Sequence, residues 1–415
     1  MNKNKLTFLL VIASIFLIMP SFAQKDSAKF GVKLNGFVNS QLMFDTRQTV
    51  GGRETMLLLY PENKKADKYG KDINASPSFN QLAMISRLTA NVWGPDAFGA
   101  KSIGVIEGDF SGQTNNDNNG FRLRHAYIKL NWQKSDLLIG QYWHPFDVPE
   151  MLPGVLSLNT GAPFHAFSRN IQLRYSHTFN HLKIIAVAAS QRDYASQGPL
   201  GANSVYMRNA VIPNMHLQLH YAINGHLFGV GGDFKMLQPK LVTDSNYKTD
   251  AKITSLAVIG FSKLSFKKID IKIEGSWGQN LSDHTMLGGY FEKAIDSTNG
   301  SVKYGNMETV NAWIDITTKA PSWKLGLFAG YTKNLGFTND LAVKGKFYGS
   351  SSNTNNIDYV YRVAPRITYT TGQLVFGSEF EYTAIAYGTP NIKGKVEKTT
   401  EYNNFRVLLS ATYNF

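Results

Sequence analysis

The 415-residue chain contains no cysteine. That single absence excludes lipid attachment through a thiol, disulfide scaffolds, thiolate metal sites and cysteine nucleophiles. Long apolar runs are scarce too. After residues 6–19, no stretch approaches the roughly 20 residues that a membrane-crossing helix needs. No Gly-rich phosphate loop and no nucleophile elbow is present, so no catalytic residue, cofactor or metal is expected. Negative charge is in deficit, with 30 acidic against 43 basic residues and a formal net charge of +13. The Lys and Arg are scattered and form no basic tail or helix, which argues against a nucleic-acid partner. A basic pore interior, or a surface meeting anionic lipopolysaccharide, accounts for the balance better.

The N-terminus has the layout of a secretory leader. Lys3 and Lys5 supply the basic region, residues 6–19 the apolar run, and Pro20-Ser21-Phe22-Ala23 a small-residue exit. Residues 1–23 are therefore expected to be cleaved, which lowers the net charge from +13 to +11. Residues 24–415 are expected to form one domain.

The far end of the chain suggests what that domain is. Phe405, Val407, Leu409, Ala411, Tyr413 and Phe415 share one parity, while Arg406, Ser410, Thr412 and Asn414 share the other. A strand oily on one face and polar on the other suits a wall between lipid and water. The terminal aromatic Phe415 resembles the last residue of Gram-negative outer-membrane barrels, which their assembly machinery reads. Aromatics are plentiful (20 Tyr, 26 Phe, 6 Trp), as interfacial girdles require. The slightly negative mean hydropathy is no obstacle, because half of each barrel strand faces water.

Period-2 segments bounded by turn residues predict about 16 strands. They span 30–44, 79–93, 101–110, 121–133, 136–144, 168–178, 181–191, 213–223, 226–236, 251–266, 269–280, 308–318, 322–333, 357–370, 373–386 and 402–415. Connections alternate between short ones, such as Asn224-Gly225 and Thr371-Gly372, and long ones such as 45–78 and 145–167. Short periplasmic turns and long extracellular loops mark a transmembrane antiparallel β-barrel. The predicted fold is all-β, one closed barrel.

If the apolar sets face lipid, the opposite parity lines the lumen. Arg87, Arg122, Arg124, Arg174, Arg362 and Arg366 fall there, together with Glu107, Asp109, Glu379 and Glu381. Arginine facing lipid at mid-depth costs about 2–4 kcal/mol, which favours the same placement. Two readings stay open: cross-strand ion pairs that satisfy a polar interior, or a guanidinium row that attracts anions. The loop 145–167 is unusually apolar and stiffened by Pro145, Pro149, Pro153 and Pro163. It is the third long loop, and in sixteen-stranded porins that loop folds inward. Asp147 and Glu150 are then expected to face the arginines across a constriction.

Two weaker signals are set aside. Asn115-x-Asp117-x-Asn119-Gly120 resembles the start of a calcium loop, but Ala126 stands where the final Glu is needed. His216 and His220 share a strand face without a third ligand and suit pore lining better than a metal site.

From Ser86 to Tyr175 the chain resembles the DcaP-like trimeric outer-membrane porins. The matching pieces are Ser86-Arg87-Leu88, Glu107-Gly108-Asp109-Phe110, Leu123-Arg124-His125-Ala126-Tyr127, Gly140-Gln141-x-Trp143 and Arg169-Asn170-Ile171-Gln172-Leu173-Arg174-Tyr175. The resemblance implies a homotrimer that passes small anions such as dicarboxylates or aromatic acids, with Arg87, Arg124, Arg169 and Arg174 at the pore or its rim. Asn170 departs from the Gln expected there. The family can also carry a periplasmic coiled coil before the barrel, for which residues 24–29 leave no room. The expectation is a diffusion channel of the bacterial outer membrane. Its partners would be lipid, lipopolysaccharide, small anionic solutes and, through Phe415, the barrel assembly machinery. A plugged or narrow binding barrel is the alternative, with an outer-membrane lipid hydrolase behind it.

Overall fold

The computed structural model describes residues 30–349 and 355–415. The expected leader, 1–23, lies outside the described residues. Sixteen antiparallel strands form the wall. In chain order they are β1 (Gly31–Asp45), β2 (Ser78–Leu82 continued by Arg87–Trp93), β3 (Lys101–Asp109), β4 (Arg122–Asn131), β5 (Ser135–Trp143), β6 (Arg169–Phe179), β7 (Leu182–Ser190) and β8 (Asn214–Ile223). They continue as β9 (His226–Leu237), β10 (Ile253–Ser265), β11 (Ile269–Gln279), β12 (Val302–Thr318), β13 (Trp323–Phe337), β14 (Ile357–Thr371), β15 (Leu374–Pro390) and β16 (Val396–Asn414).

Each strand pairs with the next, and β16 closes onto β1 from Phe37 opposite Asn414 to Asp45 opposite Arg406. The chain end completes the seam: Gly36 N donates to Phe415 O at 3.0 Å, and Phe415 N returns a bond to Gly36 O at 3.1 Å. Closure leaves no free strand edge, which a bilayer requires because lipid offers no hydrogen-bond partner. Among the described residues no helix is long and apolar enough to cross a membrane; the longest, Val205–Ala210, has 6 residues.

Local sequence explains the turns. Asn224 and Gly225 have φ of 50° and 82°, the left-handed pair that a tight two-residue hairpin needs. Alternation explains the wall. On β8, Met215, Leu217, Leu219 and Tyr221 are exposed on the outer face, while His216, Gln218 and His220 are buried within. The strands nearly match their predicted spans. β12 and β16 each begin six residues earlier than predicted, because the wall extends further on the long-loop side. There, Val302–Met307 pairs with the extra strand Gly289–Ile295. β2 is broken at 83–86, where the Ser86 hydroxyl donates to Ala83 O and accepts from Asn39 N in place of the ladder.

The interior departs from a simple polar lumen. On the β10–β15 side, inward positions carry Ile259, Phe261, Trp313, Phe328, Val360, Ala364 and Ile385. Against them pack Phe146, Val148, Met151, Phe164 and Ala166 of the loop 145–167, and Tyr60 of a short hairpin (Thr49–Gly52 with Leu57–Pro61). Burying each large apolar side chain is worth about 1.5–3 kcal/mol. One side of the barrel therefore holds a dry, packed core. Its strands are apolar on both faces, as on β10, where Leu256 and Val258 face outward and Ala257 and Ile259 inward.

Candidate functional site

The loop 145–167 crosses the inside of the barrel, and successive wall strands hold it through polar contacts. Gln218 on β8 donates to Pro145 O (3.1 Å), and Lys272 on β11 donates to Leu152 O (2.5 Å). On β12, the Asp315 carboxylate accepts from Gly154 N at 3.3 Å. On β15, Glu379 accepts from Leu156 N (2.8 Å) and Ser157 N (3.2 Å), and Glu381 accepts from the Asn159 amide (3.2 Å). The returning limb is pinned by Arg362 on β14, whose guanidinium donates to Ala162 O at 2.9 Å. These are largely backbone groups that no secondary structure satisfies, so the wall's side chains meet a need that burial creates.

Arg362 does more than hold one loop. Its guanidinium also reaches Leu58 O (3.3 Å), Leu59 O (2.8 Å) and the Thr383 hydroxyl (2.8 Å), so it ties the short hairpin to the long loop. It is 1 % exposed. Neither Arg362 nor Arg366 forms an ion pair with Glu379 or Glu381, although Arg366 lies opposite Glu379 in register. Arg366 turns instead to Asp315, with bonds of 2.8 and 2.9 Å, because the loop's N–H groups have taken Glu379. Arg406 on β16, absent from the sequence-based set, is fully buried and grips Asp45 through two bonds of 2.9 and 2.7 Å.

On the β2–β4 part of the wall, cross-strand ion pairs form. Arg124 bonds both Glu107 and Asp109 at 2.8 Å, Arg122 lies 3.5 Å from Asp109, and Arg87 lies 3.6 Å from Glu107. A register shift between Glu107 and Gly108 turns the adjacent residues Arg124 and His125 both inward. Arg169, at the start of β6, is bonded to Asp193 at 2.7 Å and boxed by Trp143, Phe167 and Tyr194, with ring centroids 5.0–5.4 Å away. Arg174 donates to Gln172 Oε1 and Trp143 O, each at 2.9 Å, and lies over the Tyr142 ring.

Asp147 and Glu150 part company. Asp147 is wholly buried and does not stand free opposite the arginines: its carboxylate receives the His165 Nε2–H at 3.3 Å and Ser168 N at 3.4 Å. Burial pushes its carboxyl above the usual carboxylate range. His165 also donates from Nδ1 to Glu274 at 2.9 Å. Burial alone would lower its imidazolium, but Glu274 and Asp147 outweigh that and push it up to about 10. Glu150, by contrast, is exposed in a cleft left between the loop and the β4–β8 wall. Tyr127, Lys129, Tyr142, Arg174, Lys183 and His220 line the same cleft.

The remaining sequence signals have ordinary roles. Asn115 Oδ1 accepts from Arg53 N of the distant hairpin at 2.8 Å and Asp117 accepts from Gln113 N at 3.2 Å, so both serve backbone N–H groups. His216 pairs with Asp233 at 3.1 Å and His220 with Gln218 at 3.0 Å. Among the described residues no three metal-ligating side chains converge.

Residues 64–257 match the family model described as DcaP outer membrane protein. A comparison with curated proteins gives no match. The outer membrane channel DcaP of Acinetobacter baumannii superposes with a TM-score of 0.66 at 18% identity, over 95% of this chain and 99% of that one. OmpT, an outer membrane protein of Vibrio cholerae, gives 0.55 at 12% identity, over 95% and 100%. An anion-selective porin from Comamonas acidovorans gives 0.55 at 8% identity, over 93% and 100%. At these identities the likeness to the solved structures is one of fold.

Proposed function

For this chain, a DcaP-like β-barrel of the bacterial outer membrane, we propose passive diffusion of small hydrophilic solutes, with a preference for anions such as small carboxylates. The observation that carries the reading is the cleft beside the loop. It is polar, lies against the β4–β8 wall, and sets Lys129, Lys183 and Arg174 against Glu150 and Asp136. Cationic walls of low dielectric raise the local concentration of anions and lower the cost of stripping their water. Arg87 and Glu107, both partly exposed, belong to the same path on this reading, and Asp109, Arg122 and Arg124 brace it from behind.

A plugged barrel is the second reading, favoured by the packed core on the β10–β15 side. A hydrolase has less support. Ser168, His284 and Asp283 stand in sequence, with Ser168 Oγ 2.8 Å from His284 Nδ1, but all three are buried and Asp283 is held by Lys235 and Gln191. A nucleophile needs open space at the reacting carbonyl. We further propose a homotrimer whose contacts lie on the barrel wall, with lipopolysaccharide against its outer face and assembly guided by Phe415. Single-channel recording in planar bilayers under a KCl gradient tests the main reading. Open channels with a reversal potential on the chloride side are expected. Folded protein without conductance favours the plug, and a potassium-side reversal removes the anion preference.

A further inference from the structure

Building on the channel reading, we propose that its anion preference is set on the periplasmic side of the loop by Lys183, Lys263 and Lys272, and not by the arginine row. Apart from Arg174, which bonds only the neutral Gln172 Oε1 and Trp143 O, the arginines are already matched. Arg366 is bonded to Asp315, Arg406 to Asp45, Arg124 to Glu107 and Asp109, and Arg169 to Asp193, each within 3.0 Å. Arg362 spends its donors on four oxygens of the protein. A cation beside its counter-charge acts on a passing ion as a dipole, a weaker source than a free charge.

The lysines are placed differently. Lys183, Lys263 and Lys272 lie near the short-turn ends of β7, β10 and β11, in step with the buried inward residues Ile185, Phe261 and Glu274. Among the described residues, Lys183 and Lys263 have no carboxylate partner within ion-pair distance, and the Lys272 ammonium rests on the neutral Leu152 O. Lys263 and Lys272 are direct cross-strand partners. Like charges opposed in this way destabilise a strand pair.

The acids that could relieve the opposition are engaged elsewhere. Asp315, the partner of Lys272 across β11 and β12, is held by Arg366 through two bonds. Asp270 is held by Lys319 at 2.9 Å. Two half-buried lysines opposed across the strand pair, neither bonded to a carboxylate, make a subsite that an anion relieves on arrival. Lys183 extends the same field into the cleft with Arg174. The turn between β10 and β11 adds Lys267 and Lys268, and the start of β13 adds Lys324, all exposed, so this mouth of the channel carries further positive charge.

The test is the reversal potential of the assembled protein in planar bilayers under a KCl gradient. Lys263→Gln with Lys272→Gln is expected to lower the chloride-over-potassium permeability ratio about threefold, and Lys263→Arg with Lys272→Arg to restore it. Lys183→Gln alone should give a smaller drop, and it carries the test if the double variant fails to insert. A double Gln variant that keeps the wild-type ratio, while Arg174→Gln loses it, overturns the inference and returns selectivity to the arginines. A wild-type channel that prefers potassium fails one step earlier and removes the anion reading itself.

Discussion

His165 donates a hydrogen bond to Glu274 over 2.9 Å and so fastens the returning limb of the inward loop to the barrel wall at β11. With Asp147 on its other nitrogen, the imidazole lies between two carboxyl groups that favour its cationic form, which donates at both ends. A charge buried between two carboxylates is costly to break from one side, about 3–5 kcal/mol.

That geometry fixes a pH dependence. His165 is raised to about 10, above the roughly 6.5 of a free imidazole. A raised base stabilises fully below its unfolded pKa, and the stabilisation is lost as pH rises through the folded value. The seating of the loop should hold at neutral pH and weaken as pH approaches 10. Recordings from pH 7 to 11 should show added current noise only at the alkaline end. In Glu274→Gln the noise should appear near neutrality.

Arg362 holds both the short hairpin and the long loop. Arg362→Met should free Leu59 O and Ala162 O together and leave Leu58 O to the Asn159 amide alone, with a stability loss of about 3–5 kcal/mol. Higher single-channel conductance and faster proteolysis of the loop are expected. Unchanged conductance would show that the loops are seated by their apolar contacts alone.

Gly330 on β13 leaves room for Phe164. A Cβ there would lie 2.5 Å from the ring. Gly330→Val should displace the ring and cost about 1–3 kcal/mol through overpacking. Thermal unfolding in detergent reads this as a lowered midpoint, with the barrel still formed.

Selectivity should depend on salt. Exposed charges act over a Debye length of about 10 Å at 0.1 M and about 3 Å at 1 M. A preference set by open lysines such as Lys183 should therefore fade as KCl is raised across that range. A preference that persists at 1 M points to buried groups.

Much of the barrel was legible in the chain. Period-2 alternation and the alternation of loop length are enforced by lipid on one side and water on the other, so they are written residue by residue. Met215, Leu217, Leu219 and Tyr221 are an example. The inward loop left a trace as well, since Phe146, Val148, Met151 and Phe164 are too apolar for an exposed segment. The partners of the arginines were not legible. Strand adjacency puts Arg366 opposite Glu379, yet the carboxylate goes to loop N–H groups and the arginine to Asp315, a choice made by a segment more than 200 residues away in the chain. Arg406 follows ordinary polar alternation, and nothing local tells that Asp45 waits across the seam. The packed side of the lumen had one signal, the two-faced apolarity of β10, where Ala257, Ile259 and Phe261 alternate with Leu256 and Val258.

The packed core has a mechanical consequence. A hollow cylinder of sixteen strands can flatten into an ellipse when lateral pressure in the bilayer changes, and its bore changes with it. Here Phe164, Phe328 and Trp313 are packed together behind β10–β15, and a close-packed protein interior compresses little. That half of the cylinder is braced from within, so shape fluctuations fall on the thin β4–β8 arc that borders the open cleft.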